Sequence, residues 1–186
     1  DIKRSPLPFG SFDIVVCLGV IQHTPSPEKT ITDLAQHVKP GGMLVIDHYL
    51  RYNGIRAISP YLSFGKYLRL ILRRIDSRTA LKVTSSLTSF FDPLRRFTSR
   101  WPFFDKLVNR IVPTASYYGG KIPGLDLAII PEWNKLDTHD SLTDYYKHQR
   151  TPEEIEYCLK GLGFNRILVW KGGNGVEARA FFPEDQ

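Results

Sequence analysis

Two histidines stand just beyond short apolar runs. His23 follows "FDIVVCLGVIQ", and His48, with Tyr49 beside it, closes "MLVID". Histidine titrates near neutral pH, so one held at the mouth of a strand can take or release a proton, an effect of about 10²–10⁴-fold on the rate of a reaction at oxygen. A third group, Asp137, His139, Asp140 and His148, lies in "LDTHDSLTDYYKHQ". It offers acid and base partners, with His139 the base candidate, or else a loop pinned by Asp and Thr side chains bonded to backbone. It contains no HExxH, His-x-His or CxxC spacing, so no metal site is expected.

The elements that must hold these residues alternate compactly. Ile14 to Val20 is an apolar run rich in Val and Ile, too short for a buried helix, and reads as a central parallel strand covered on both faces. Ser26 suits an N-cap with Pro27 at the first helical position and Glu28 in the first turn, while Ile31, Leu34, Ala35 and Val38 recur at helical spacing. "KPGG" is expected to stop that helix, and "MLVIDHYL" to form a second strand parallel to the first.

Past Arg51 the alternation breaks. Helical patterning is expected in "YLSFGKYLRLILRRI" and "FFDPLRRFTSRWPFFDKLVNRIV", and an ordered loop in "PTASYYGGKIPGLDLAIIPEWNKLDTHDS". Regular structure returns at "TPEEIEYCLKGLGF", where Thr151 and Glu154 have capping-box spacing and Ile155, Cys158, Leu159 and Leu162 share a face. "RILVW" and "GVEARAFF", separated by glycines, read as a hairpin at the sheet edge. The organisation expected is a single domain over 1–186 with a helical and loop insertion over 51–150. That insertion leaves from the carboxyl end of a strand, where open α/β sheets place their ligands.

Composition narrows the classes. A hydrophobic share of 42% with 24% charged is that of an ordinary globular chain. No apolar run nears the ~20 residues that cross a bilayer, and no signal pattern opens the chain, so a cytoplasmic protein is expected. Cys17 and Cys158 read as free, buried thiols. The net charge of +6 is unevenly spread: Arg51 to Arg110 holds 13 Lys and Arg against Asp76, Asp92 and Asp105, a local +10 that leaves −4 elsewhere. Such a segment suits an anionic or hydrophobic small molecule or peripheral contact with a membrane surface, or it is simply a solvated helical face. Nucleic acid is not expected, because no recognised binding module is visible.

The stretch Asp1 to Tyr49 resembles the second half of a class I S-adenosylmethionine-dependent methyltransferase. Leu7-Pro8-Phe9 and Ser11-Phe12-Asp13 match that family's lead-in to its fourth strand, Gln22-His23-Thr24-Pro25 its post-strand loop, and Lys39-Pro40-Gly41-Gly42 the turn before its fifth strand. The terminal segment from "WNKLDTHDS" to "GGNGVEAR" is similar to one branch of these enzymes. The resemblance implies a Rossmann-like methyltransferase sheet, mostly parallel with an antiparallel carboxyl-terminal hairpin and interrupted by the helical insertion. It also implies S-adenosylmethionine as cofactor. Asp1 would accept from the adenine amino group and Ile2 cover the ring; Leu18, Gly19 and Val20 would pass under the methionine part, or else only pack the strand. His23 would face the methyl group or cap the next helix. His48 and Tyr49 would contact the substrate.

The family's glycine-rich loop has no counterpart in these 186 residues. The sheet is therefore expected to be partial, and the chain a fragment of a longer product. The function expected is methyl transfer to a small-molecule acceptor, with His23 and His139 as catalytic candidates. Two alternatives stay open: a non-catalytic methyltransferase-like binding or scaffolding module, and another Rossmann-type nucleotide enzyme.

Overall fold

A computed structural model describes residues 6–52, 64–118, 126–173 and 175–184. Asp1 and Ile2 lie outside the described residues. These divide into two compact units, one built from 1–52 with 146–186 and the other from 53–145.

The first unit is α/β. Its strands are β1 (Phe12–Cys17), β2 (Val38–His48), β3 (Ile167–Gly172) and β4 (Gly175–Phe181), with helices α1 (Pro27–Ala35) and α6 (Pro152–Gly161). The sheet order is β1-β2-β4-β3. β1 and β2 are parallel, joined through α1, as the strand, helix, strand pattern predicts. β4 runs antiparallel to both of its neighbours, so the carboxyl-terminal hairpin places β4 against β2 and leaves β3 at the rim.

One face of the sheet carries the core. Ile31, Leu34 and Ala35 of α1 and Ile155 and Leu159 of α6 pack on Leu44 and Ile46 of β2 and on Val176, Ala178 and Ala180 of β4. Each fully buried aliphatic side chain contributes roughly 1.5–3 kcal/mol. Thr151 and Glu154 form the complete capping box expected of α6. Ser26 is the N-cap of α1 by position but makes no side-chain capping bond.

Three expectations for this unit change. β1 ends at Cys17, and Leu18, Gly19 and Val20, expected to be strand, lead instead into a 3-10 turn over Ile21–His23. β1 is also an edge strand among the described residues, not a central one: Ile14 and Val16 on its second face are exposed, because no described element covers that face. Finally, "KPGG" does not separate helix from strand. It lies inside β2 as a bulge: Phe12 pairs with Val38 but Ile14 already with Met43, so four residues of β2 bow out opposite one of β1. Gly41 has φ +73°, and a Cβ on Gly42 would stand 2.9 Å from the Lys39 carbonyl and 3.0 Å from that of Asp13. The glycines are required by the tight bow, not by a helix stop.

The second unit is helical: α2 (Phe64–Leu72), α3 (Ser77–Thr98), α4 (Pro102–Ile111) and α5 (Ile130–Thr143). α3 begins well before the predicted pattern, with Asp76 accepting from the Thr79 amide as N-cap. α5 replaces the end of the expected loop. Its weakly amphipathic sequence hides it, while Pro131 in its first turn and Glu132 suit a helix start. His139 is thus a helix residue; Thr84 Oγ1 of α3 lies 3.3 Å from its Nδ1.

Candidate functional site

The carboxyl ends of β1 and β2 lie side by side because the strands are parallel neighbours, with Cys17 opposite Ile46. The loop after β1 turns at Gly19, whose φ of +71° favours a residue without Cβ. Its amide donates to Asp47 Oδ1 at 2.7 Å, fastening one strand end to the other. Asp47 is buried and finds there the backbone amide that its position suggests.

Residues 146–150 run back across these ends. The His148 amide donates to the Gln22 carbonyl at 3.0 Å, the Arg150 amide to Tyr49 at 2.9 Å, and the Arg51 amide to Arg150 at 2.9 Å. His23 Nδ1 lies 3.2 Å from the Tyr146 carbonyl. A carbonyl only accepts, so Nδ1 is the donor in that bond. The Tyr49 ring meets His23 edge-on, with centroids 5.3 Å apart, and Lys147 Nζ stands over the Tyr49 face at 5.4 Å.

Of the predicted residues, Leu18, Gly19, Val20, His23 and Tyr49 therefore gather at one end of the sheet. Leu18 is 54% exposed and Val20 43%, so both offer apolar surface to a ligand. A cavity of about 210 Å³ opens beside them, lined by Leu18 from one strand end, Asp47 from the other, and Trp170, Glu177 and Arg179 from the hairpin. His48 turns the other way: it is 1% exposed, and burial holds its imidazole below the ordinary value of 6.5 despite its hydrogen bond with the Tyr49 carbonyl. Tyr49 is the half-exposed member of that pair. His139 belongs to the helical unit.

Residues 146–150 were not candidates as a strap over the strand ends. No local pattern marks them, because the pairing that places them is with residues about 100 to 125 positions earlier. Arg150 also grips Glu28 through Nε and Nη2, at 2.7 and 2.6 Å. Burial works to raise the Glu28 carboxyl, but its own backbone amide and the Arg150 guanidinium prevail and hold it below the ordinary carboxylate value. Gln22 is fully buried with both side-chain polar atoms unpartnered, and the Nε2 atoms of His48 and His148 are likewise buried without a partner. Buried polar atoms left open in this way mark a place where water or a ligand group completes the bonding.

These features fit one side of a nucleoside ligand. Leu18 and Val20 offer apolar contact, and nothing lies within 4 Å of where a Gly19 Cβ would stand, so the turn leaves room. The Gly19 amide is already committed to Asp47, and the charged ends of such a ligand would need groups beyond those described here.

Comparison with known proteins supports the resemblance. Residues 1–46 match the family described as "Methyltransferase domain". Among curated proteins, a tRNA U34 carboxymethyltransferase of Campylobacter curvus is 38% identical over 63 residues, covering 32% of this chain and 21% of that one. A ubiquinone biosynthesis O-methyltransferase of Dechloromonas aromatica is 46% identical over 37 residues, 20% of this chain and 16% of that one. The matched part is thus a small share of each relative's length. A solved S-adenosylmethionine-dependent methyltransferase of Thermotoga maritima aligns over 97% of this chain and 60% of its own, at 12% identity and a TM-score of 0.42. Residues 1–46 are thus similar to the methyltransferase-domain family, and that stretch includes β1, α1 and most of β2.

Proposed function

We propose that this chain supplies one side of a site that transfers a methyl group from S-adenosylmethionine to a small molecule. The observation that carries the reading is the Gly19 to Asp47 hydrogen bond, which holds two parallel strand ends together beneath Leu18, Val20 and His23. Leu18, Gly19 and Val20 would line the cofactor, with Asp1 and Ile2 reaching its adenine. When bound, the cofactor brings a methyl group already activated on a sulfonium, so the protein's main task is to hold the acceptor in line and exclude water.

His23 is assigned the proton. The Tyr146 carbonyl holds Nδ1 and the Tyr49 ring meets the imidazole edge-on, so the ring is positioned by residues 146–150 and by the end of β2, and His23 would take the proton of the acceptor's hydroxyl. The matched segment is shared by proteins named for a tRNA and for ubiquinone biosynthesis, so acceptor choice is assigned to residues outside it. A small-molecule acceptor is favoured over nucleic acid because the cavity beside Leu18, about 210 Å³, suits a small ligand.

The test uses the protein made from the complete reading frame that contains these residues. Calorimetry should show S-adenosylmethionine binding that His23→Gln leaves within about twofold, while methylation of a small-molecule extract falls by about 10²–10⁴-fold. No cofactor binding overturns the reading. Binding with no methylated product identifies a non-catalytic, methyltransferase-like binding module instead.

A further inference from the structure

In the helical unit, α3 and α4 leave much of their apolar surface exposed. α3 buries Ala80, Thr84, Thr88, Arg95 and Thr98, and it exposes Phe90, Leu94 and Phe97 at i, i+4 and i+7. α4 buries none of its residues. Its polar edge meets α3, where the exposed Asn109 accepts through Oδ1 from Arg95 Nη1 at 2.6 Å and the half-buried Asp105 lies close enough to favour the Arg95 charge. Phe103, Phe104, Leu107 and Ile111, which share about a 100° arc of the helix, point outward. Phe90 is 76% exposed, Phe103 75% and Ile111 62%. A continuous aromatic ridge joins the two helices, with ring centroids 4.8 Å apart for Phe97 and Trp101, 6.4 Å for Trp101 and Phe104, and 5.6 Å for Phe103 and Phe104.

A water-facing helix pair would show the opposite arrangement, since apolar side chains gain by leaving water and buried hydroxyls must each find a partner. Here the interior partners are made. Arg95 alone donates to Thr114 Oγ1, the carbonyls of Val112 and Thr114, and Asn109. The exterior is what lacks a described covering.

We propose that the α3–α4 face is a docking surface for an anionic lipid bilayer, with the aromatic ridge immersed at the headgroup boundary. Charge complementarity selects this occupant. Exposed Lys106 and Arg110 border the apolar arc of α4 along its Phe103 side and exposed Arg100 stands next to Trp101 in sequence, within the segment whose local charge is +10. Basic residues bordering Phe, Trp and Leu are the pattern of a helix lying in the interface plane. No helix of the described residues is long and apolar enough to cross a membrane, so the face rests on the bilayer without spanning it. In α2, by contrast, Arg69 turns inward to the Asp144 carbonyl. The inference goes beyond methyl transfer and stands without it.

Sedimentation of the full chain with phosphatidylcholine vesicles, with and without phosphatidylglycerol, tests it. The expected result is at least tenfold tighter binding to the phosphatidylglycerol vesicles. A Phe97→Ser, Phe103→Ser, Phe104→Ser variant should lose binding to both. Lys106→Glu with Arg110→Glu should lose only the preference for the anionic lipid. The side chains changed are exposed, so circular dichroism should match the wild type. Wild-type protein that stays in the supernatant overturns the proposal, as does undiminished sedimentation of the triple variant. Light scattering that shows an oligomer dissolved by the triple variant, without vesicle binding, makes the face a contact between copies and overturns it too.

Discussion

The Gly19 amide donates to Asp47 Oδ1 at 2.7 Å, bridging the ends of two neighbouring parallel strands. Asp47→Asn keeps an oxygen acceptor in the same place, whereas Asp47→Ala leaves the amide of a left-handed turn without this partner. Urea unfolding should therefore show a loss of about 1–3 kcal/mol for Asp47→Ala at unchanged m, and less for Asp47→Asn. Equal losses for both variants would mean the carboxylate acts through its charge.

His48 gives stability a pH dependence. Burial keeps its folded-state value below 6.5 against the opposing pull of the Tyr49 carbonyl, and the Arg150 charge adds to the lowering. The unfolded chain therefore binds a proton that the folded chain refuses. The contribution of this group is fully present above about 6.5 and is lost as pH falls from there toward the folded-state value. Unfolding midpoints measured from pH 8 down to pH 5 should drop, and His48→Gln should flatten that decline.

Arg95 ties α3 to α4 and to the segment after it through Asn109, Val112 and Thr114. Burial pushes its guanidinium value down while Asp105 opposes the change. Arg95→Met fills similar volume yet strands two buried carbonyls, so a loss of about 2–4 kcal/mol is expected. Arg95→Lys should recover little, because one ammonium cannot reach acceptors spread across a planar fork. Thermal unfolding followed by circular dichroism reports both.

The legible parts were those set by local chemistry. The capping box at Thr151 and Glu154, Pro27 opening α1, the apolar periodicity of Ile31, Leu34 and Ala35, and the hairpin glycines each act within a few residues and appear where they were expected, whereas Val38, read with that periodicity, opens β2 instead. The candidate site was legible in part for the same reason: Leu18 to His23 follow one strand and Tyr49 the next, so parallel pairing brings them together. Local pattern misled where a residue type serves two ends. In "KPGG" the glycines fit a turn and equally a bulge, and only the register with Phe12 and Ile14 distinguishes them.

What tertiary structure alone decided was direction and partner. Adjacent His48 and Tyr49 read alike in sequence, yet the first is buried and the second borders His23, because β2 ends at His48 and Tyr49 lies just beyond it. The strap over 146–150 and the exposed apolar side of α3 and α4 depend on contacts between residues distant in sequence. Periodicity shows that a helix has two faces, but which face turns inward is settled by what packs against it; here Arg95 and its acceptors claim the interior and leave the aromatic side outermost.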